Sequence, residues 1–401
     1  MAHLQETLAR LAALRRQGGP LSADARSGVR PPAGRLSALA AFGANPGALK
    51  AYTYLPADIQ PGAPLVVVLH GCTQNAAAYD HHSGWSELAD RGGFALLYPE
   101  QQQANNPNLC FNWFQPADSR RNQGEALSIR QMIEAMILAH DLDRSRVFVT
   151  GLSAGGAMAG VMLATYPEVF AGGGIIAGLA YGRATTVPEA FSCMQGRGSA
   201  SDGELLQLLR RASGHTGRWP KVTIWQGLAD HTVAPSNAEE IAAQWRGVHR
   251  LAPAATRTET QGALSRRVWC NAAGVTVVEL NTVAAMGHGT PLGDGLGTPG
   301  PYMLDVGISS TREIAGFWGL VDAEELSRGM VPDISTPSSV AVPTGEESPL
   351  YPHRPSAGEA GAREQGESVA ATRLWMRSSG EGRASVREVI EGALRSAGLM
   401  R

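Results

Sequence analysis

Apolar runs of strand length recur from Pro64 to Leu280, and each is separated from the next by a segment long enough to hold a helix or a long crossover. They are Pro64 to His70, Phe94 to Tyr98, Arg146 to Thr150, Gly172 to Ala177, Val222 to Trp225 and Val275 to Leu280. A strand covered on both faces has no side for polar residues, so it reads as a continuous apolar run rather than an alternating one. Parallel neighbours need crossovers of a dozen or more residues, which the intervening segments supply. The expected fold class is therefore α/β, with a mostly parallel central sheet and helices on both faces. Two helices are legible in detail. Gly124 to His140 carries Ile129, Met132, Ile133, Met136 and Ile137 at a 3.6-residue period, whereas Gly155 to Tyr166 is small or apolar all round and stops before Pro167.

The run Arg146 to Thr150 leads into Gly151-Leu152-Ser153-Ala154-Gly155. A serine hydroxyl is a weak nucleophile unless a tight strand-to-helix turn exposes it within reach of a base, and glycines two positions either side permit that turn. With 48 glycines in 401 residues, random placement would give roughly 0.4 such pentapeptides, so the strand before and the helix after carry the inference. Both are present, which makes Ser153 the candidate nucleophile and Ala154 N–H, at the helix start, a candidate oxyanion donor.

In sheets of this kind the catalytic groups lie on loops at the carboxyl ends of strands, in the chain order nucleophile, acid, base. After Val222 to Trp225 the chain reads Gln226-Gly227-Leu228-Ala229-Asp230-His231, which places Asp230 as the acid. After Val275 to Leu280 it reads Met286-Gly287-His288-Gly289-Thr290-Pro291, and His288, free of crowding between two glycines, is the candidate base. His140 ends a helix, His215 and His249 lie off strand ends, and His353 falls in a Pro-rich stretch. His231 adjoins Asp230; neighbouring side chains point apart, so it is a candidate substrate contact instead. The loop His70-Gly71-Cys72-Thr73-Gln74 follows an earlier strand and offers Cys72 N–H as the second oxyanion donor, with Gly71 permitting the turn. Trp113 is a candidate pocket residue, with a core tryptophan as the competing reading, and Trp225 is read as core.

A net charge of −2 and a pI near 6.6 leave no electrostatic footprint for nucleic acid or an anionic membrane. No apolar run is long enough to span a bilayer. Cys72, Cys110, Cys193 and Cys270 contain no Cys-x-x-Cys pair, so structural zinc is not expected. They are read either as two disulfides, Cys72–Cys110 and Cys193–Cys270, or as buried free thiols. The chemistry calls for no cofactor and no metal.

Leu4, Leu8, Leu11 and Leu14 mark an amphipathic helix over residues 1–16, not the continuous apolar core of a secretory signal, so retention inside the cell competes with non-classical export or a misassigned start. A loose lead-in is expected over 17–47, a catalytic domain over 48–325 and a flexible linker over 331–383. Over 384–400, Ser385 and Glu388 form a capping-box pattern before an apolar stripe, giving a C-terminal amphipathic helix that docks on the catalytic domain or on a partner.

The pieces His70-Gly71-Cys72-Thr73-Gln74-Asn75, Cys110-Phe111-Asn112-Trp113-Phe114, Gly151-Leu152-Ser153-Ala154-Gly155-Gly156 and Gly287-His288-Gly289-Thr290-Pro291-Leu292 resemble the poly(3-hydroxybutyrate) depolymerase family of esterases. The resemblance covers roughly residues 42 to 320. It implies an α/β-hydrolase fold and serine-dependent hydrolysis of short-chain hydroxyalkanoate esters, with feruloyl and acetyl esters as the alternative substrates. By the same resemblance Ser153, Asp230 and His288 look like the triad, with Cys72 and Ala154 at the oxyanion hole. Secreted polymer-degrading members typically carry a signal peptide and a polymer-binding domain, neither of which is seen, so soluble oligomers or small esters compete with solid polymer as substrate. A catalytically silent hydrolase fold acting as an interaction module is the alternative from another class.

Overall fold

A computed structural model describes residues 34–293 and 295–327. The helices expected over 1–16 and 384–400 and the linker expected over 331–383 lie outside the described residues.

The strands are β1 (Ser37–Ala38), β2 (Lys50–Tyr54), β3 (Leu65–Leu69), β4 (Ala95–Glu100), β5 (Val147–Leu152), β6 (Gly172–Ile176), β7 (Lys221–Gly227), β8 (Arg257–Gln261), β9 (Leu264–Cys270), β10 (Thr276–Val283), β11 (Thr290–Leu292) and β12 (Met303–Asp305). The first ten form one sheet in the order β1-β2-β4-β3-β5-β6-β7-β10-β9-β8, and β11 pairs with β12. From β4 through β3, β5, β6 and β7 to β10 every pairing is parallel, with antiparallel strands only outside this block. This is the mostly parallel sheet of an α/β-hydrolase fold.

The six expected strands form the parallel block; β1, β2, β8, β9, β11 and β12 lacked a sequence signal. Every residue of β8 is exposed and β9 reads Leu-Ser-Arg-Arg-Val-Trp-Cys, so neither displays a buried apolar run. β8 is the edge of the sheet and β9 its inner neighbour, both outside the parallel block, and their patterns are weaker because this end is less covered.

The helices are α1 (Ala76–Ser83), α2 (Trp85–Gly92), α3 (Pro116–Ser119), α4 (Gly124–His140), α5 (Ala154–Thr165), α6 (Val187–Met194), α7 (Asp202–Ser213), α8 (Ser236–His249), α9 (Ser310–Trp318) and α10 (Ala323–Ser327). On one sheet face, Leu65, Val67, Val147 and Val149 pack with Ile129 and Ile133 of α4, Met158 of α5, Leu209 of α7 and Trp245 of α8. On the other, Val66, Val68 and Phe148 meet Tyr79 of α1, Leu88 of α2 and Ile314 of α9. The change of face between adjacent residues of one strand follows from its two-residue period. Trp318 stacks on both Trp85 and Phe148, with ring centroids 5.9 and 4.9 Å away, and so fastens α9 to the sheet.

The described end of the expected loose lead-in, 34–47, is attached to the body. Gly47 N–H donates to Ser128 Oγ at 2.8 Å, and Asn45 N–H donates to Gln131 Oε1 at 2.9 Å, both on α4. Its Gly, Pro and Ala content gave no periodicity because these contacts are made by the backbone.

Candidate active site

Ser153 joins β5 to α5 with φ 58° and ψ −118°, a conformation that costs an L-residue on the order of 1–3 kcal/mol. Its N–H donates to Ile176 O at 2.8 Å, and its carbonyl accepts from Ala157 N–H at 2.8 Å, so the sheet and the helix together hold the strained turn. Although Ser153 occupies the N-cap of α5, its side chain makes no capping bond, which leaves the hydroxyl available for other chemistry. The flanking glycine is dictated by space: a Cβ on Gly155 would lie 2.4 Å from the carbonyl oxygens of both Leu69 and His70. That approach sets the elbow against the loop after β3. Ala154 is the first helical residue, so its N–H has no carbonyl partner within the helix.

Asp230 follows β7 and is 3% exposed. Its Oδ1 accepts the N–H groups of Thr232 and Val233 at 2.8 and 2.9 Å. Its Oδ2 accepts His288 Nδ1 at 2.7 Å and Gln226 Nε2 at 3.1 Å. The carboxylate is thus filled by four donors and has one orientation. The two loops are also locked through their backbones, since Ala229 N–H donates to Met286 O at 2.9 Å and Leu228 N–H to Val283 O at 3.0 Å. A Cβ on Gly227 would lie 2.3 Å from Met286 O, so only glycine allows this approach.

The structure therefore brings Asp230 and His288 into direct contact and sets them, with Ser153, at the carboxyl ends of β7, β10 and β5. Cys72 follows β3, the neighbour of β5 in the sheet. In its loop the left-handed residue is Thr73, at φ 64°, rather than Gly71. A Cβ on Gly71 would lie 3.0 Å from Gln74 Oε1, so a larger residue there would press on the side chain that accepts Gly71 N–H. Thr73 N–H donates to Asn108 O at 2.7 Å, and a Cys72–Cys110 disulfide joins the same two loops.

The expected Cys193–Cys270 disulfide is not formed. Cys193 lies buried in α6 with its thiol 3.2 Å from Arg183 O, while Cys270 ends β9 with its sulfur 3.6 Å from Thr276 Oγ1. Each sulfur is directed at a partner in its own neighbourhood, and sequence spacing carries no information about such directions. His231 is exposed beside the buried Asp230. Trp113 is 8% exposed within the apolar core and lies edge-on to Phe114, so packing accounts for its position. Trp225 is fully buried.

Three contributors escaped the sequence reading. Gln226 holds Asp230 Oδ2, and a glutamine inside the buried run Val-Thr-Ile-Trp-Gln was the available signal. Tyr302, at φ 61° and 36% exposed, lies edge-on to His288 with ring centroids 6.0 Å apart, and nothing in its local sequence marks it. Glu125 is a buried carboxyl group at the start of α4. Its Oε1 accepts Gln101 Nε2 at 2.5 Å and Asn112 Nδ2 at 2.8 Å, and its Oε2 accepts Asn112 N–H at 2.8 Å. Burial, reinforced by Asp118, raises the Glu125 carboxyl to about 8. Among the described residues no group of His, Cys, Asp and Glu could hold a metal ion, and no helix is long and apolar enough to cross a membrane.

The family model for esterase PHB depolymerases matches residues 49–265. Poly(3-hydroxyalkanoate) depolymerase C of Paucimonas lemoignei is 45% identical over 292 residues, which cover 71% of this chain and 70% of the relative. Feruloyl esterase B of Neurospora crassa is 36% identical over 214 residues, covering 52% and 72% respectively. Among solved structures, an acetyl xylan esterase from Aspergillus awamori superposes with a TM-score of 0.63 at 26% identity, covering 72% of this chain and all of that one.

Proposed function

The chain belongs to the PHB depolymerase family of esterases and is a carboxylic ester hydrolase, and from that footing we propose that it cleaves short-chain 3-hydroxyalkanoate esters, with Ser153 as nucleophile. Asp230 orients His288 and leaves Nε2 as the proton acceptor, because Nδ1 is engaged by the carboxylate. His288 takes the Ser153 proton as Oγ attacks the ester carbonyl. The N–H groups of Cys72 and Ala154 receive the developing oxyanion, an interaction worth on the order of 10²–10³ in rate per donor. Collapse of the tetrahedral species expels the alcohol, protonated by His288, and leaves an acyl-enzyme. Water, deprotonated by the same imidazole, then releases the acid and restores Ser153.

The observation that carries the mechanism is the 2.7 Å contact between the buried Asp230 and the partly buried His288, made by loops that follow two neighbouring parallel strands. Two backbone N–H groups already satisfy Asp230 Oδ1, and the imidazole 58 positions away is held on Oδ2. The substrate class is supported by the 45% identity to a poly(3-hydroxyalkanoate) depolymerase. A second reading, feruloyl or acetyl esters, is favoured by the feruloyl and acetyl xylan esterase relatives.

Rates on p-nitrophenyl esters of increasing acyl length, hydroxybutyrate oligomers, solid polymer, methyl ferulate and acetylated xylan separate these substrates. The proposal expects the highest kcat/KM on hydroxybutyrate oligomers; a preference for methyl ferulate or acetylated xylan would move the assignment to the second reading. A fluorophosphonate probe should label the folded protein and leave Ser153→Ala unlabelled. An unlabelled wild type would instead indicate a silent interaction module.

A further inference from the structure

His70 directly follows β3 and leads into the Cys72 loop, is 1% exposed, and has no part in the proton transfers described above. Its two ring nitrogens have different partners. Gln101 N–H donates to Nε2 at 3.1 Å, which makes Nε2 an acceptor and puts the ring proton on Nδ1. Nδ1–H then donates to Gly71 O at 2.8 Å. Gly71 O belongs to the same peptide unit as Cys72 N–H, and in a trans peptide the carbonyl and the N–H point in opposite directions. Fixing one fixes the other. We propose that His70 is a positioning residue: by holding the Gly71 carbonyl it turns the Cys72 N–H toward the oxyanion.

Several observations bear on this role. Among the described residues no hydrogen bond is made by Cys72 N–H, whereas the neighbouring N–H groups of Gly71, Thr73 and Gln74 are all committed, to Gln74 Oε1, Asn108 O and Gly71 O. From Gly71 to Gln74, Cys72 N–H is thus the backbone donor left without a partner among the described residues. His70 is itself supported from behind. Gln101, whose backbone N–H fixes the His70 tautomer, uses its side chain to donate to both Glu125 Oε1 and Cys110 O. Cys110 is the disulfide partner of Cys72, so the donor residue is gripped at its preceding carbonyl through His70 and at its side chain through sulfur. Both routes end on Gln101 and Glu125. Phe111 packs against the His70 ring at 5.0 Å and completes the enclosure. Burial lowers the His70 imidazole to about 4, so it stays neutral and keeps its single Nδ1 proton at neutral pH.

This inference rests on the reading of Cys72 N–H as an oxyanion donor to an ester attacked by Ser153. Two substitutions divide the functions of the ring. His70→Asn sets an amide nitrogen near the position of Nδ1 and retains a donor to Gly71 O. His70→Gln sets an amide oxygen near the position of Nε2, retaining the acceptor for Gln101 N–H while losing that donor. On p-nitrophenyl butyrate, His70→Gln should lower kcat about 100-fold with KM almost unchanged, the signature of lost transition-state stabilisation, whereas His70→Asn should stay within about tenfold of wild type. Equal losses in both variants, losses that follow thermal stability alone, or a rise in KM in place of a fall in kcat would overturn the role. ¹⁵N imidazole spectra of the wild type give a reading that needs no variant to fold: His70 should hold its proton on Nδ1, and an Nε2–H tautomer refutes the inference. If wild type fails to react with a fluorophosphonate, or Ser153→Ala retains turnover, the underlying esterase assignment fails instead, and the two failures are distinguishable.

Discussion

The Asp230 carboxylate receives His288 Nδ1 on the same oxygen that receives Gln226 Nε2, at 2.7 and 3.1 Å, while its other oxygen is filled by two backbone N–H groups. With four donors on its two oxygens, the carboxylate is held in one orientation, and the imidazole it holds inherits that order. The arrangement specifies the neutral tautomer that can accept a proton at Nε2.

Asp230→Asn should therefore keep the fold and lose turnover. An amide in that position can present an N–H to His288 and select the wrong tautomer, so kcat should fall by about 10³–10⁴ with KM little changed. Steady-state kinetics beside a thermal melt check this; a loss under tenfold in a folded variant contradicts the assignment of Asp230.

The strained elbow predicts a trade between activity and stability. Ser153→Gly removes both the hydroxyl and the Cβ that disfavours φ 58°, so it should abolish hydrolysis and be more stable than Ser153→Ala by about 1 kcal/mol. Urea midpoints of the two variants measure the difference, and equal midpoints would show that the turn stores no strain.

Removing the Cys72–Cys110 bridge should act on stability and rate together. The crosslink spans 38 residues, for which chain entropy gives about 2–4 kcal/mol. Cys72→Ser combined with Cys110→Ser should unfold at lower denaturant and show reduced kcat at unchanged KM. Normal kcat in the folded double variant would separate the disulfide from oxyanion positioning.

The pH dependence of stability has a sign set by His70 and Glu125. His70 titrates near 6.5 when unfolded and about 4 when folded. Between these values the unfolded chain binds the extra proton, so stability falls as pH drops from about 6.5 to about 4, by up to about 3 kcal/mol. Glu125 shifts the other way, from 4.5 to about 8, so the folded chain holds the extra proton and stability falls as pH rises through that window. Denaturation midpoints against pH should show a weaker acid limb in His70→Asn and a weaker alkaline limb in Glu125→Gln. Limbs unchanged by these substitutions would assign the dependence to other groups.

Much of the fold was legible because the parallel strands β3, β5, β6, β7 and β10 carry apolar runs that state their burial directly. The α4 helix was legible to the residue, since its stripe of isoleucine and methionine repeats with the turn of the backbone. β8 was not, because five exposed residues pairing along a sheet edge have no face to reveal. At the site, Ser153, Asp230 and His288 could be nominated from turns at strand ends, but Tyr302 could not, because its place beside His288 depends on the β11–β12 pairing.

The sequence by itself determined the alternation of strands and helices and the strand-to-helix turn at Ser153, and it nominated Asp230 and His288 at later strand ends, all from patterns a few residues long. Tertiary structure alone decided that Cys72 bonds Cys110 while Cys193 and Cys270 remain thiols, which oxygen of Asp230 meets His288, and which groups hold the peptide before Cys72. Hydrophobic periodicity and turn chemistry are local. Hydrogen bonds that orient a dipole join residues such as His70 and Gln101, 31 positions apart, or Gln101 and Glu125, 24 apart, and their directions exist only once the sheet has brought those loops together.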